Sequence, residues 1–142
     1  MAVVGAAAPL PPRVGMAVVG AAAASAAWGA MWGGSGGVCA IRDDMAGILD
    51  SMNTADVIVM ASPVYFYSID AQMKALIDRT VARWLTIKNK EFYYLMTAAE
   101  DSATVMDCTL ECFRGLARCL EGSVERGVIY GKGVYGPGEI ED

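Results

Sequence analysis

Three groups of residues in this chain are of types that do chemistry. The first is Val64-Tyr65-Phe66-Tyr67-Ser68, which follows directly on Ser62-Pro63. Three consecutive aromatics in a loop present flat, apolar π faces, a surface that suits a flat, conjugated ligand. The second is the carboxylate pair Glu100-Asp101, placed either for general acid/base work or to cap the helix that follows. The third is Cys108 and Cys112, one helical turn apart, with Cys119 two turns further on. These read either as a thiol or metal pair or as small apolar packing residues. Two thiols with no His or further Cys beside them cannot complete a tetrahedral zinc site, so packing is expected and no metal. Histidine is absent, which excludes His-based catalysis and His-ligated metals.

The elements that must position these residues are legible from periodicity. Asp43 or Asp44 caps a helix with apolar residues at Met45, Ile48, Leu49 and Met52, an i, i+3, i+4, i+7 stripe. Val57-Ile58-Val59-Met60-Ala61 is a short β-branched run, as a strand covered on both faces should be. Pro63 cannot donate to a ladder and pushes Ser62 away from helical geometry. A helix from about Asp70 to Trp84 is predicted to bury Met73, Leu76, Ile77, Thr80 and Trp84. A strand at 92–97 follows the turn Lys88-Asn89-Lys90. A helix capped by Asp101 or Ser102 then buries Val105, Met106, Leu110, Phe113, Ala117 and Leu120, with Gly122 just past its end. The last strand is 127–130, and the remainder to Asp142 is expected to be irregular. Strands separated by single helices pair in parallel through right-handed crossovers. The fold class is therefore α/β, a doubly wound parallel sheet with three clear strands. In such sheets ligands bind at the carboxyl ends of the strands, where the aromatic loop falls.

Residues 1–37 differ from the rest. They are an Ala/Gly/Val segment in which MAVVGAAA occurs at 1–8 and again at 16–23, closing in the flexible Gly33-Gly34-Ser35-Gly36-Gly37. An irregular segment is the expectation. Two alternatives stand beside it: a secretory signal, with Arg13, an apolar stretch from Val14 and a small-residue site at Ala24-Ser25-Ala26, or a short fourth strand at 16–20 beside the main sheet. Val14 to Trp32 is nearly long enough to span a bilayer, but its Ala and Gly content argues against it. The organisation is thus a low-complexity segment at 1–37 and a folded domain at 38–142.

The 142 residues carry a net charge of -5, without a run of Lys or Arg, so no nucleic-acid partner is expected. The apolar fraction of 55% is inflated by alanine in the first 31 residues and does not imply a membrane protein. Three of four cysteines on one helix are no secreted disulfide framework, which points to a reducing, cytoplasmic setting.

Taken together, these segments resemble a known family. Val38-Cys39-Ala40-Ile41-Arg42-Asp43-Asp44-Met45, Ala55-Asp56-Val57-Ile58-Val59, SPVYFYS at 62–68, the helix Ala71-Gln72-Met73-Lys74-Ala75-Leu76-Ile77-Asp78-Arg79-Thr80, Lys88-Asn89-Lys90-Glu91-Phe92-Tyr93 and Gly127-Val128-Ile129-Tyr130-Gly131 are similar to the flavodoxin-like NAD(P)H-dependent oxidoreductases. That is the NADPH-dependent FMN reductase group, which also includes iron-sulfur flavoproteins. The resemblance implies FMN at the carboxyl edge of the sheet. The loop of Ser62, Pro63, Val64, Tyr65, Phe66, Tyr67 and Ser68 would wrap the isoalloxazine, and that of Thr97, Ala98, Ala99 and Glu100 would lie along another side. Tyr65, Phe66 and Tyr67 either contact the ring or pack on the following helix; Ser62 and Ser68 either bond its edge or support the turn. The implied activity is hydride transfer from NAD(P)H through FMN to a small-molecule electron acceptor, in a homodimer. Asp78-Arg79 is expected in structural ion pairs or subunit contacts. Cys39 aligns with the last cysteine of a cluster-bearing loop whose other cysteines are missing, so no iron-sulfur cluster is expected.

The departures are at the ends. The family opens with a strand and a Ser/Gly-rich loop that holds the FMN phosphate at a helix N-terminus. Gly20-Ala21-Ala22-Ala23-Ala24-Ser25 offers no basic or amide side chain for that task, and the family's closing helix is not seen before Asp142. The expectation is a truncated family core with its first βαβ unit replaced. The alternative function is then a non-enzymatic remnant or interaction module that no longer binds FMN.

Overall fold

The computed structural model describes residues 5–6, 16–19, 41–136 and 138–139. The elements are β1 (Gly5–Ala6), β2 (Met16–Val19), α1 (Met45–Thr54), β3 (Val57–Pro63), α2 (Ala71–Arg79), β4 (Glu91–Thr97), α3 (Asp107–Cys119) and β5 (Val124–Gly131). Short 3-10 turns at Thr80–Ala82 and Ala103–Met106 adjoin α2 and α3. The strands form one sheet in the order β1-β2-β3-β4-β5, in which β1 runs antiparallel to β2 and all other neighbours are parallel. This is the flavodoxin-like α/β architecture. The strand considered at 16–20 is present as β2, in register with β3 from Met16↔Val57 to Val19↔Met60.

Alternation along the strands decides which face carries the core. Ile58 and Met60 on β3, with Phe92, Tyr94 and Met96 on β4, are buried in one cluster with residues of all three helices. Every apolar position of the α1 stripe is buried, as are Leu110, Phe113 and Leu116 of α3. Each such side chain contributes about 1.5–3 kcal/mol. The alternate residues Val57, Val59, Ala61 and Leu95 are only half-buried, and Tyr93 is exposed. The steps from β2 to β5 all go the same way across the sheet, so right-handed crossovers place α1, α2 and α3 on one face.

Several local expectations are corrected. Trp84 is 40% exposed: the helix tightens to 3-10 at Thr80, the 3.6-residue stripe stops, and Ile87 fills the core instead. Lys90 is no plain turn residue. It is buried, and its Nζ donates to the carbonyls of Asn53 and Ala55 at 2.8 and 2.7 Å, satisfying the end of α1. That burial lowers its pKa. Cys108 and Cys119 are exposed rather than packed; only Cys112 packs against the core. Cys39 lies outside the described residues, as do Gly20 to Ser25. Strand β5 is longer than predicted because Val124 and Glu125 extend the ladder beyond a bulge at Arg126, opposite Phe92/Tyr93.

Candidate functional site at the carboxyl edge of the sheet

The parallel register brings the last residues of three strands into one row: Pro63 pairs with Thr97, and Thr97 with Gly131. Three loops leave the sheet there. The loop after β3 first extends the ladder, Val64 N–H donating to the Thr97 carbonyl at 2.8 Å. It then closes a tight turn in which Tyr65 and Ser68 exchange both backbone hydrogen bonds, at 3.0 and 3.1 Å. The two central residues have positive φ, 50° at Phe66 and 64° at Tyr67. That is the pattern of a type I′ turn, where Asn-Gly is the usual pair. Bulky aromatics in this region cost about 1–3 kcal/mol each. The rings gain little burial in return: Tyr65, Phe66 and Tyr67 are 62%, 102% and 56% exposed. None of the three belongs to the buried core.

The turn stands on a buried brace. Asp70 caps α2 by accepting from the Met73 N–H at 2.7 Å. Its other carboxylate oxygen accepts from the Ser62 hydroxyl at 3.1 Å, and Ser62 Oγ accepts from the Asp70 N–H at 3.0 Å. Both residues are buried. The Ser62 side chain is thus committed to holding the loop's two ends together, while Ser68 sits half-buried in the turn.

The loop after β4 is built differently. Ala98 donates its N–H to the Gly131 carbonyl at 2.9 Å and accepts from the Val134 N–H at 3.0 Å; the Glu100 carbonyl accepts from the Gly133 N–H at 3.2 Å. Ala98 is buried, whereas Ala99 and Glu100 are exposed. Asp101 pairs with Lys132 at 3.2 Å, and Ser102 caps the following turn through Thr104 N–H. The Glu100-Asp101 pair therefore does not cap the helix. The stitching segment, 131–136, is the part of the edge that the sequence reading missed. Its signal was a Gly-rich run with Tyr135 directly after a parallel strand. Tyr135 is 80% exposed, and Glu139 accepts the N–H groups of Tyr135 and Gly136.

Within the described residues, the N–H groups of Phe66, Tyr67, Ala99 and Glu100 make no hydrogen bond. Exposed rings beside free amide donors fit a planar, conjugated group with a polar edge. Among the described residues, no group of three or more His, Cys, Asp or Glu could hold a metal. Among the described residues, no helix is long and apolar enough to cross a membrane.

The family model of "NADPH-dependent FMN reductase" matches residues 13–107. The chain belongs to the NADPH-dependent FMN reductase family. FMN with NAD(P)H as electron donor is the cofactor pair of this family. The match begins ahead of β2, so the family likeness, placed from Val38 onward by sequence reading, reaches into the N-terminal segment. This member of the FMN reductase family is 33% identical to an iron-sulfur flavoprotein of Archaeoglobus fulgidus over 113 residues, 75% of this chain and 47% of the relative. It is 46% identical to that of Methanosarcina thermophila over 55 residues, 37% of this chain and 29% of the relative. The chain thus spans about half the length, or less, of these relatives. Among solved structures, the Trp repressor binding protein of Bacillus subtilis superposes with a TM-score of 0.61 at 17% identity, covering 70% of this chain and 65% of that one. RosB with a bound 8-demethyl-8-formylriboflavin-5'-phosphate intermediate superposes at 0.55 and 18% identity, over 71% and 43%. At such identities these neighbours show the fold.

Proposed function

We propose that this chain binds FMN by its ring at the carboxyl edge of the sheet and acts as an NAD(P)H-dependent oxidoreductase toward a small-molecule electron acceptor. The observation that carries this reading is the Phe66-Tyr67 turn, which holds three exposed aromatics on strained backbone beside the Pro63–Thr97–Gly131 row. Strain of this kind gathers at ligand clamps. Tyr65, Phe66 and Tyr67 flank the ring. Pro63, Val64 and Ser68 shape the turn, and Ser62 braces it. Thr97 and Ala98 form a small floor, and the amides of Phe66, Tyr67, Ala99 and Glu100 donate to the ring's polar edge. Bound FMN supplies the redox chemistry, accepting hydride from a nicotinamide and passing electrons on; the chain orients, donates hydrogen bonds and excludes water. A homodimer in the cytoplasm is the setting we propose.

The test is the visible spectrum of the purified chain with added FMN, and separately with riboflavin. Flavin absorbance that survives desalting and bleaches with NADPH supports the reading. Equal affinity for riboflavin and FMN would mean that the ring, not the phosphate, is gripped. A chain that stays colourless with both flavins overturns it and leaves a non-enzymatic family member.

A further inference from the structure

On the helical face, well removed in sequence from the aromatic turn, α3 and the start of β5 border a second, open concave site. It has a volume of about 200 Å³ and is lined by Tyr94, Arg114, Ala117, Arg118, Ser123 and Glu125. Tyr94 is fully buried, its ring stacked on Phe113 at 5.3 Å and against Phe92 at 6.0 Å. These contacts leave the ring little freedom to turn. Its phenolic oxygen is nonetheless buried without a hydrogen-bond partner. An unmade bond of that kind is costly and calls for an acceptor supplied from elsewhere. Burial pushes the phenol up to about 12, with Glu125 adding to the rise and Arg114 and Arg118 opposing it. The group is a protonated donor at neutral pH, and all three charges act on it.

The other lining groups define what is missing. Arg114 donates Nε and Nη2 to the two carboxylate oxygens of Glu125, at 2.7 and 2.9 Å, and Nη1 to Glu111 at 3.1 Å. Each Glu125 oxygen therefore already accepts one charge-assisted bond. Arg118 uses only Nη1, toward Glu111 at 3.0 Å. Ser123 Oγ accepts from the Lys90 N–H at 3.3 Å, and its own proton has no acceptor. The lining groups with protons left to donate include Tyr94 O–H, Ser123 O–H and the rest of the Arg118 guanidinium. The lining holds two guanidiniums and the Glu125 carboxylate, and Glu111 bridges both arginines at its rim.

We infer that this site binds a small organic monocarboxylate. One oxygen accepts from Tyr94 O–H and the other from Arg118, while the carbon skeleton lies against Ala117. Because Glu111 and Glu125 already neutralise the two guanidiniums, a dianion is disfavoured more strongly than a monoanion. A water occupies about 30 Å³ of liquid, so the space takes an acid of about two to four carbons.

Propionate, its neutral counterpart propionamide and inorganic phosphate are the probes. Each is titrated into the full-length ¹⁵N-labelled chain to about 50 mM, a range that reads weak affinities. Propionate is expected to produce saturable shifts at Ser123, Glu125 and Arg118, and propionamide none. Tyr94→Phe keeps the ring and its stacking, and Arg118→Gln changes a largely exposed side chain; each is expected to weaken propionate by about tenfold or more. Unchanged circular dichroism and thermal melts show that both variants still fold. Linear shifts without saturation, equal response to the amide, tighter binding of phosphate, or full affinity in Tyr94→Phe would each overturn the assignment. None of these readouts depends on flavin, so the result is independent of the proposed oxidoreductase function.

Discussion

The loops after β3 and β4 leave the sheet side by side, from paired residues Pro63 and Thr97, yet they are built on opposite plans. The first is braced by buried side chains, Ser62 and Asp70, and spends that support on a turn whose backbone is unfavourable for Phe66 and Tyr67. The second carries small residues and is sewn by main-chain bonds to the 131–134 segment. One loop presents rings and the other presents backbone. A planar ligand with a polar edge needs both surfaces, and neither plan alone provides them.

Breaking the brace is expected to have the largest effect. Asp70→Ala removes the α2 cap, leaves the Met73 N–H without its acceptor and takes the carboxylate from the Ser62 hydroxyl, which keeps the Pro63 carbonyl at 2.7 Å. A loss of about 2 kcal/mol in urea-monitored stability follows. Emptying the first loop of its rings should act on ligand rather than on fold. Tyr65→Ala with Phe66→Ala is expected to weaken FMN by about thirtyfold, roughly 2 kcal/mol, as read by fluorescence quenching of added FMN. Stability should move by less than about 0.5 kcal/mol, because both side chains are exposed. The reverse change sharpens the contrast. Phe66→Asn with Tyr67→Gly installs residues that tolerate positive φ, and should raise stability by about 1–2 kcal/mol while lowering FMN affinity.

A smaller effect is expected away from both loops. Arg79 is buried and donates through Nη1 and Nη2 to the two Asp43 oxygens, each at 2.8 Å. Its guanidinium holds the Asp43 carboxyl below the usual carboxylate value. The folded pKa is depressed, so this contribution is present above the unfolded value of about 4 and is lost as pH falls through the folded one. Thermal melts between about pH 6 and pH 3 should show this loss, and Asp43→Asn should flatten it. The smallest change is at the second loop. Glu100→Gln alters an exposed side chain whose loop is held by main-chain bonds, and stability should shift by less than about 0.5 kcal/mol.

Much of this was legible in the chain. The Met45, Ile48, Leu49, Met52 stripe, the β3 and β4 runs and the aromatic loop could be read because hydrophobic periodicity is local. The flavodoxin-like family could be read from SPVYFYS and the helix after it. Trp84 misled because a stripe continues in sequence past the point where the helix tightens to 3-10. Lys90 looked like a solvated turn residue because nothing nearby in sequence shows the Asn53 and Ala55 carbonyls. The cysteines of α3 were assigned to the core from residue type, although Cys108 and Cys119 fall on the outer side of the helix. The 131–136 segment was passed over because a Gly-rich stretch has no period to read.

What the sequence determined by itself is the order of helices and strands, the identity of most core residues and the aromatic character of one loop. Those properties depend on residues a few positions apart. The tertiary structure decided the rest. Parallel register placed Pro63, Thr97 and Gly131 in one row, and the exchange of hydrogen bonds between Tyr65 and Ser68 imposed positive φ on two aromatics. The Ser62–Asp70 brace joined the two ends of a loop, and the stacking of Tyr94 on Phe113 left its hydroxyl without a partner. Each of these depends on contacts between residues distant in sequence or on a closed turn geometry, and neither is written in composition or period.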